Sequence, residues 1–299
     1  MATSARESRE AGVSVNLRGG AGILLYLIFW GWLVARWLND WILPEGVGAP
    51  SGTSFIDPAV VEPISGNLAF AVQYLPALAS GAYMTLVLTV VSIILGFVIA
   101  VPVSVARVYG KRSAWVSLGF TELIRGTPLL AQLFVLYFGL QLSAWIRELP
   151  LVGEGFVPGQ AFWVAIIGFT INSAAYQAEY IRSALISVER GQLTAARAVG
   201  LTQIEGIRYV VLPQALRYAI PGWSNELVYL IKYSSLAGFI TVPELYHVGR
   251  RIASQNYRYT AMFVLVGLMY LAIVVSASTL MDYVENRTSI PGIGRASER

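Results

Sequence analysis

The sequence predicts an all-α membrane protein with six transmembrane helices. Of its 299 residues, 56% are hydrophobic and only 13% are charged, which is too apolar a composition for a soluble domain of this length. The apolar residues are grouped in blocks of about twenty, the number of helical residues needed to cross roughly 30 Å of hydrocarbon. Because lipid offers the backbone no hydrogen-bonding partners, we expect these blocks to be helices.

The first predicted span covers residues 21–43 and has two possible interpretations. It follows a weakly basic tail, as a cleaved signal peptide does, but it is longer than the apolar core of such a peptide. It also carries Arg36 and Asp40 at i, i+4, a pair that could reach the outer membrane surface. We therefore interpret this span as an uncleaved anchor.

The second and third spans are predicted at residues 75–105 and 128–146. The second is a long apolar block that ends just before Arg107. The third is expected to begin with Thr127 as its N-cap and Pro128 in the first helical position, where the missing N–H costs nothing.

The last three spans are predicted at residues 160–185, 214–240 and 260–284. The fourth is rich in small residues, and the sixth is an apolar block that ends before Arg287. The fifth contains Pro221, which removes a backbone hydrogen bond and predicts a kink. A kinked helix beside a transport path would suit a gate.

The distribution of basic residues predicts the orientation, because Lys and Arg concentrate in cytoplasmic loops. Both tails and two alternate connections are basic and should be cytoplasmic, whereas the connection 44–73 is acidic and should lie outside. The connection between the fifth and sixth spans conflicts with this pattern, so we expect its arginines to be paired or to face a partner. The residues concerned are Arg6, Arg9, Arg18, Arg107, Lys111, Arg112, Arg125, Arg190, Arg197, Arg208, Arg287, Arg295 and Arg299 inside, Glu45, Asp57 and Glu62 outside, and Arg250, Arg251 and Arg258 in conflict.

Several kinds of chemistry are excluded by residue types that the sequence lacks. There is no cysteine and only one histidine, His247, so disulfides, thiolate metal sites and histidine clusters are not expected. No G-x-x-x-x-G-K-[ST] loop is present, and no nucleophile is paired with a base. The sequence has no run of basic residues with interleaved aromatics, which is the pattern that would predict nucleic-acid binding. We therefore expect a non-enzymatic chain without a cofactor, driven by a partner.

A polar connection between the fourth and fifth spans contains a short segment of small residues, GQLTAARAVGLTQIEGIRYVVLPQ, from Gly191 to Gln214. Gly191 is expected to break the preceding helix, residues 192–199 are mostly good helix formers, and Gly200 is expected to end the helix in a left-handed cap. The product is a short helix outside the membrane. It could be an ordinary interfacial helix or one that enters a groove on another protein, with Ala195, Ala196 and Ala198 as its slim surface and Leu193 and Val199 as apolar contacts.

This segment closely resembles the coupling loop, or EAA loop, of permeases from ATP-binding-cassette (ABC) importers. Ala195, Ala196, Gly200 and the Leu212-Pro213 pair match that pattern, while Thr194 replaces its Glu. The strings ELIRGTPLLAQLF, AAYQAEYIRSAL and NELVYLIKYSSL are similar to the polar amino-acid branch, the histidine/glutamine/arginine permease-like family. The resemblance covers nearly all of residues 74–286. It implies a five-helix type I importer core to which the first span is an addition.

The resemblance also implies partners and a division of the chain. An ABC ATPase dimer would bind ATP and Mg and receive the coupling helix, a second permease subunit would complete the path, and an extracytoplasmic binding protein would deliver an amino acid. The coupling residues implied are Gly191, Gln192, Leu193, Thr194, Ala195, Ala196, Arg197 and Gly200. The predicted units are a cytoplasmic tail (1–20), an extra helix (21–43), an outer loop (44–73), a core (74–286) with coupling loop 187–213, and a second tail (287–299), in the inner membrane of a prokaryote.

Polar residues inside two spans predict a transport path, because a charge at mid-bilayer costs on the order of 2.5–3.5 kcal/mol without a partner or a wet cavity. On each of the fourth and fifth spans, three polar residues lie at i, i+4 and i+7 and therefore share one face. The two faces could meet as a polar lining of the path. Interhelical hydrogen bonding is the competing interpretation, with Glu179 paired to Arg182 and Lys232 reaching the outer surface. The candidate path residues are Asn172, Tyr176, Glu179, Asn225, Glu226, Tyr229, Lys232 and Ser235, with Pro221 and Pro128 as gate or hinge residues.

The function predicted from the sequence is that of a permease subunit in an ATP-driven amino-acid importer that works by alternating access. A secondary transporter coupled to an ion gradient is the alternative, although Glu226 is the only buried carboxylate expected near mid-bilayer and no repeated half is evident. The amino acid carried, and whether the permease pairs with itself or with a homologue, are not determined by the sequence.

Overall fold

The computed structural model describes residues 20–43, 47–154 and 157–288, and within these ranges the chain is helical without a β-strand. Arg6, Arg9, Arg18, Glu45, Arg295 and Arg299 lie outside the described residues. The described α-helices are α1 (Gly20–Trp41), α2 (Pro58–Val61), α3 (Gly66–Tyr109), α4 (Arg112–Arg125), α5 (Leu129–Phe134), α6 (Leu142–Arg147), α7 (Gln160–Ser187), α8 (Arg190–Ala198), α9 (Gln203–Gly206), α10 (Leu212–Tyr233), α11 (Leu245–Asn256) and α12 (Tyr259–Thr288). Residues Val135–Gly139 and Ile207–Val211 are π-helical, and Ser234–Ile240 form a 3₁₀ helix.

Three helices of the described chain are both long and apolar enough to cross a membrane: α1, α3 and α12. Helices α7 and α10 have 28 and 22 residues, so they are also long enough, but polar side chains lower their hydropathy. The all-helical class is thus confirmed, while the count of six spans stays a prediction.

The third predicted span is not one continuous helix. Helix α5 leads into the π-helical segment Val135–Gly139, and the chain then turns at Gln141, which has a left-handed φ of 51°. Helix α6 starts afterwards at Leu142. The prediction of one helix over 128–146 is therefore wrong, because left-handed backbone at a non-glycine residue breaks the helical hydrogen-bond ladder.

The predicted fifth span also differs from the structure at its C-terminal end. Helix α10 continues through Pro221 and ends at Tyr233, and a tighter 3₁₀ helix follows as far as Ile240. Thr241 then adopts a left-handed φ of 69°, which redirects the chain into α11. Pro213, at the other end, lies in the first turn of α10, where proline is tolerated.

Two glycines of α3 allow neighbouring helices to pack closely against it. A Cβ atom on Gly81 would lie 2.9 Å from the Cα of Leu245, and a Cβ on Gly96 would lie 2.8 Å from Nε2 of Gln177. Glycine therefore lets α11 and α7 approach the backbone of α3 directly. The contacts place α3 at the centre of the described fold.

Substituting Gly81 should separate α3 from α11. We expect Gly81→Val to destabilise the purified protein by about 1–3 kcal/mol, because its methyl groups would overlap the Leu245 backbone. Gly267→Val is the matched control, since nothing lies within 4 Å of a Cβ on Gly267 in α12. Thermal unfolding in detergent, followed by intrinsic fluorescence, checks this difference, and equal unfolding temperatures for the two variants would contradict it.

Helix α1 is fastened to the core by tryptophan hydrogen bonds. Trp30 Nε1 donates to Ser276 Oγ at 2.8 Å, and Trp37 Nε1 donates to the carbonyl oxygen of Ala79 at 2.9 Å. Indole N–H groups in an apolar setting need such partners. The contacts make α1 a packed part of the structure, joined to both α3 and α12.

The predicted Arg36–Asp40 pair is present, but it does not reach the surface. Arg36 is fully buried and bonds Asp40 with Nε at 2.7 Å, and it also donates to the carbonyl oxygen of Thr53. Its guanidinium lies 4.7 Å from the centre of the Phe55 ring. The expectation of snorkelling is therefore wrong, because the segment that follows α1 covers the arginine and uses its donors.

Candidate coupling and translocation surfaces

The short helix predicted between the fourth and fifth spans is present as α8, although its start differs from the prediction. The preceding helix ends at Ser187, and extended backbone at Val188 begins the break. Gly191 therefore lies inside α8, in its first turn, and does not break the preceding helix. The end agrees with the prediction, because Gly200 has a φ of 94°.

The C-terminus of α8 is closed by two hydrogen bonds around that glycine. The N–H of Gly200 donates to the carbonyl of Arg197 at 3.0 Å, and the N–H of Leu201 donates to the carbonyl of Ala196 at 3.2 Å. This pair of bonds is the Schellman motif, which satisfies carbonyl groups at a helix end. Helix α8 therefore has a defined length and orientation.

The two sides of α8 face different surroundings. Ala196 is 4% exposed, and both its side chain and that of Leu193 pack against Gly206 of α9. Thr194, Ala195 and the end of the helix are exposed. The interpretation of Ala196 and Leu193 as free contacts is therefore corrected: they attach α8 to its own chain, and the outward surface is small at Ala195.

A hydrogen bond connects α8 to the start of α10, and α9 begins with a capping box of its own. Gln214 Nε2 in α10 donates to Gln192 Oε1 in α8 at 3.4 Å. Thr202 and Glu205 form a capping box at the start of α9, in which the Thr202 backbone and hydroxyl donate to the Glu205 carboxylate at 2.8 and 2.7 Å. These bonds from Thr202 hold the pKa of Glu205 below its usual range. The Gln192–Gln214 bond therefore joins α8 directly to the first turn of α10.

The polar side chain of Asn172 on α7 is directed at α5. Asn172 is 6% exposed, and its Nδ2 donates to Gln132 Oε1 at 3.1 Å. Gln132 in turn donates to the carbonyl of Ile124 at 2.7 Å and to Thr127 Oγ1 at 2.9 Å. Asn172 therefore links two parts of the same chain. The sequence reasoning missed Gln132, although a glutamine in an apolar block was a visible signal.

Thr127 does not act as an N-cap. The N-cap of α5 is Pro128, with Leu129 as the first helical residue. The Thr127 hydroxyl instead donates back to the carbonyl of Leu123 at 2.9 Å. The expected capping is wrong because this hydroxyl satisfies the end of α4, the helix that precedes it.

Glu179 lies in a cluster of paired charges in the C-terminal half of α7. Its carboxylate accepts from Arg182 Nε at 2.8 Å and lies 3.9 Å from Arg125 Nη1. Arg125 also lies over the ring of Tyr176, 5.4 Å from its centre. The pairing of Glu179 with Arg182 that the sequence favoured is present, and Tyr176 belongs to the same cluster.

The polar face of α10 divides into an exposed and a buried part. Asn225, Tyr229 and Lys232 are exposed on the surface of the chain, and Lys232 Nζ lies 5.8 Å from the Tyr229 ring centre. Ser235 is half-buried and donates to the carbonyl of Lys232 at 2.9 Å. Glu226 is only 3% exposed, so it does not share the exposed face.

The buried part of α10 belongs to a polar network that joins three helices. Gln177 Nε2 donates to Ser173 Oγ at 2.8 Å and to the carbonyl of Ile93 at 3.0 Å. Trp223 Nε1 donates to Gln177 Oε1, and the buried Glu226 lies three residues further along α10. Bonds of this kind fasten membrane helices together, so the network supports a packing role for this side of α10. Within the described residues no group of three or more His, Cys, Asp or Glu could hold a metal ion.

Comparison with known proteins defines the class of protein. Residues 92–290 match the family model of the binding-protein-dependent transport system inner membrane component, and the chain belongs to this family. It is therefore a membrane component of a transporter.

Its relatives narrow the class to ABC transporter permeases. The chain is 38% identical over 222 residues to the probable amino-acid ABC transporter permease protein YckA of Bacillus subtilis, covering 74% of this chain and 93% of the relative. It is 36% identical over 217 residues to the glutamine transport system permease protein GlnP of Escherichia coli, covering 72% and 94%. A crystal structure of an amino acid ABC transporter with histidines superposes with a TM-score of 0.61 at 31% identity, over 72% of this chain and 95% of that one. The protein is an ABC importer permease of the type that these relatives represent.

Proposed function

We propose that the chain is the permease subunit of an ATP-driven, binding-protein-dependent amino-acid importer. The observation that carries the proposal is α8, a short capped helix with a small outward surface at Ala195 and an inward surface attached to α9 and α10. Small side chains allow a helix to enter a groove on a partner. The amino-acid relatives supply the substrate class.

In the proposed mechanism, two ATPase subunits bind ATP and Mg and receive one α8 from each permease subunit. Closure of the ATPases on ATP would draw the two α8 helices together. The packing of Leu193 and Ala196 on Gly206, and the Gln192–Gln214 hydrogen bond, would pass this movement to α10. The membrane domain is then a two-state element whose equilibrium is biased by contacts at α8.

The exposed face of α10 supports a second permease subunit. A lysine facing hydrocarbon costs on the order of 2.5–3.5 kcal/mol, and Lys232 shares an exposed stripe with Asn225 and Tyr229. We infer that this stripe faces an aqueous path between two permease subunits. Lys232 would attract the carboxylate of an amino acid there, and Asn225 would supply further hydrogen bonds.

The proposed division of the chain places an importer core at residues 74–286, with coupling loop 187–213, and an additional helix before it. The relatives are covered over more than nine-tenths of their length by less than three-quarters of this chain, which leaves room for that helix. The basic connections favour a cytoplasmic location for both tails, residues 1–20 and 287–299. The outer segment 44–73 and α11 then lie on the face where an extracytoplasmic binding protein would dock.

Reconstitution in sealed vesicles tests this function. We expect uptake of radiolabelled amino acid only when the ATPase subunit, its ATP and the binding protein are all present. An ATPase subunit with an inactivated catalytic site is the matched control and should lower uptake to background. Uptake by the permease alone, driven by a sodium or proton gradient, would instead establish the secondary transporter.

A further inference from the structure

Helix α11 is mounted rigidly on the core. The Glu244 carboxylate caps its start by accepting from the N–H groups of Tyr246 at 2.8 Å and His247 at 2.6 Å, and it also accepts from the Tyr270 hydroxyl at 2.8 Å. The N–H of Leu245 donates to Thr85 Oγ1 at 3.2 Å. These bonds hold α11 against both α3 and α12, so the surface that it presents is preorganised.

The outward side of α11 is basic and lines an open cavity of about 530 Å³. Arg250 and Arg251 are exposed, and neither forms an ion pair or hydrogen bond with any residue in the described ranges. The third arginine of this connection behaves differently: Arg258 donates to the carbonyl of Gly66 at 3.2 Å and to the side chain of Asn67. The cavity-lining residues, which we call the α11 basic face, are His247, Arg250, Arg251, Ser254, Gln255 and Tyr259.

The composition of this helix indicates that it faces water. Its apolar side chains are directed inward, with Leu245 and Ala253 fully buried and Val248 and Ile252 each 4% exposed. Among the described residues, no large hydrophobic side chain from 245 to 256 is exposed. A helix that lies in the membrane surface buries an apolar face in the lipid, and α11 has no such face left to offer.

The position of the α11 basic face makes its charge informative. Helix α10 starts beside α8 at the Gln192–Gln214 hydrogen bond, and its 22 residues separate α8 from the segment that leads into α11. In the proposed topology α11 therefore lies on the outer side. Positive charge on an outer connection opposes the orientation that the other loops impose. Two unpaired arginines on a fixed, water-facing helix therefore have a use other than topology.

We propose that the α11 basic face is a docking surface for acidic side chains on the extracytoplasmic binding protein. This inference rests on the proposed function and adds the chemistry of the contact. Carboxylates of the docked protein would enter the cavity between Arg250, Arg251 and His247. Exposed charges of this kind chiefly raise the association rate and make it sensitive to salt.

The experiment uses the complete transporter in nanodiscs of zwitterionic lipid and the purified binding protein of the same transport system. We expect the charge reversal R250E/R251E to lower the association rate constant at least tenfold at low salt, with ATP hydrolysis in the absence of binding protein unchanged. The wild-type rate should fall steeply with added salt, and the variant's rate should not. Arg147→Glu is the matched control, since Arg147 is an exposed arginine at the end of α6, outside the cavity.

Several outcomes would overturn the inference. Wild-type association by R250E/R251E would do so, as would an equal loss in Arg147→Glu. A defect that appears only in nanodiscs with anionic lipid would assign the surface to headgroups, and a lower mass of the purified complex would assign it to a subunit interface. If charge reversal prevents assembly, R250Q/R251Q replaces it and should lower the rate about threefold or more. If the wild-type transporter binds no binding protein at all, the proposed function itself fails.

Discussion

Ala195→Trp is expected to abolish ATP-driven uptake, with a loss of about a hundredfold or more, while the permease remains folded. Ala195 is exposed on the outward side of α8 and makes no contact that the large ring would break. An indole there would prevent α8 from entering a partner groove matched to a small side chain, and a hundredfold loss corresponds to only about 2.7 kcal/mol. Uptake in vesicles and copurification of the ATPase subunit measure the effect.

The matched control for that variant is Glu285→Trp, which adds the same ring at an exposed position near the end of α12. It should retain uptake within about twofold, and both variants should unfold at the wild-type temperature, since exposed substitutions seldom change stability much. Full uptake and normal copurification by Ala195→Trp would contradict the assignment of α8 as the coupling surface.

Helix α8 shows which features could be predicted from the sequence and which could not. Its existence and its end at Gly200 were predictable, because small residues, helix formers and a glycine in the left-handed position act locally. Its two faces were not, since Ala195 and Ala196 are chemically identical and only the position of Gly206 buries one of them. The start was missed because the break falls at Val188, a residue with no turn preference.

In the membrane helices, too, features set by the local sequence were predictable and features set by tertiary contacts were not. Apolar length predicted the helical class, because the cost of unsatisfied backbone in lipid does not depend on tertiary contacts. The turn at Gln141 was not predicted, since the left-handed residue is a glutamine, which has no turn preference, and Gly139 lies two residues before it. The periodicity of Asn172 and Asn225 identified a common face on each helix, but it could not identify the neighbour. The side chain of Gln132 covers Asn172, whereas Asn225 is exposed.

This difference in burial predicts different effects for substitutions at Asn172 and Asn225, although the two share the same pattern in the sequence. Asn172→Leu should impair both assembly and transport, because it leaves Gln132 Oε1 without its donor, at a cost of about 1–3 kcal/mol. Asn225→Leu should leave the amount of folded complex unchanged, since Asn225 is exposed and forms no hydrogen bond among the described residues. Its uptake should nevertheless fall about tenfold, because a leucine would make the proposed path apolar at this point.

Size-exclusion chromatography of the purified complex and uptake in vesicles measure the two quantities separately. A Leu substitution at each position changes volume and polarity equally, so each variant is the other's control. Equal loss of complex in both would place Asn225 in a packing role and remove it from the path.

Lys232→Met extends the test to charge: an unchanged complex with uptake lowered tenfold or more is expected if the ammonium group attracts the substrate carboxylate. Unchanged uptake would instead mean that Lys232 lies away from the path, where its charge serves only the surface of α10.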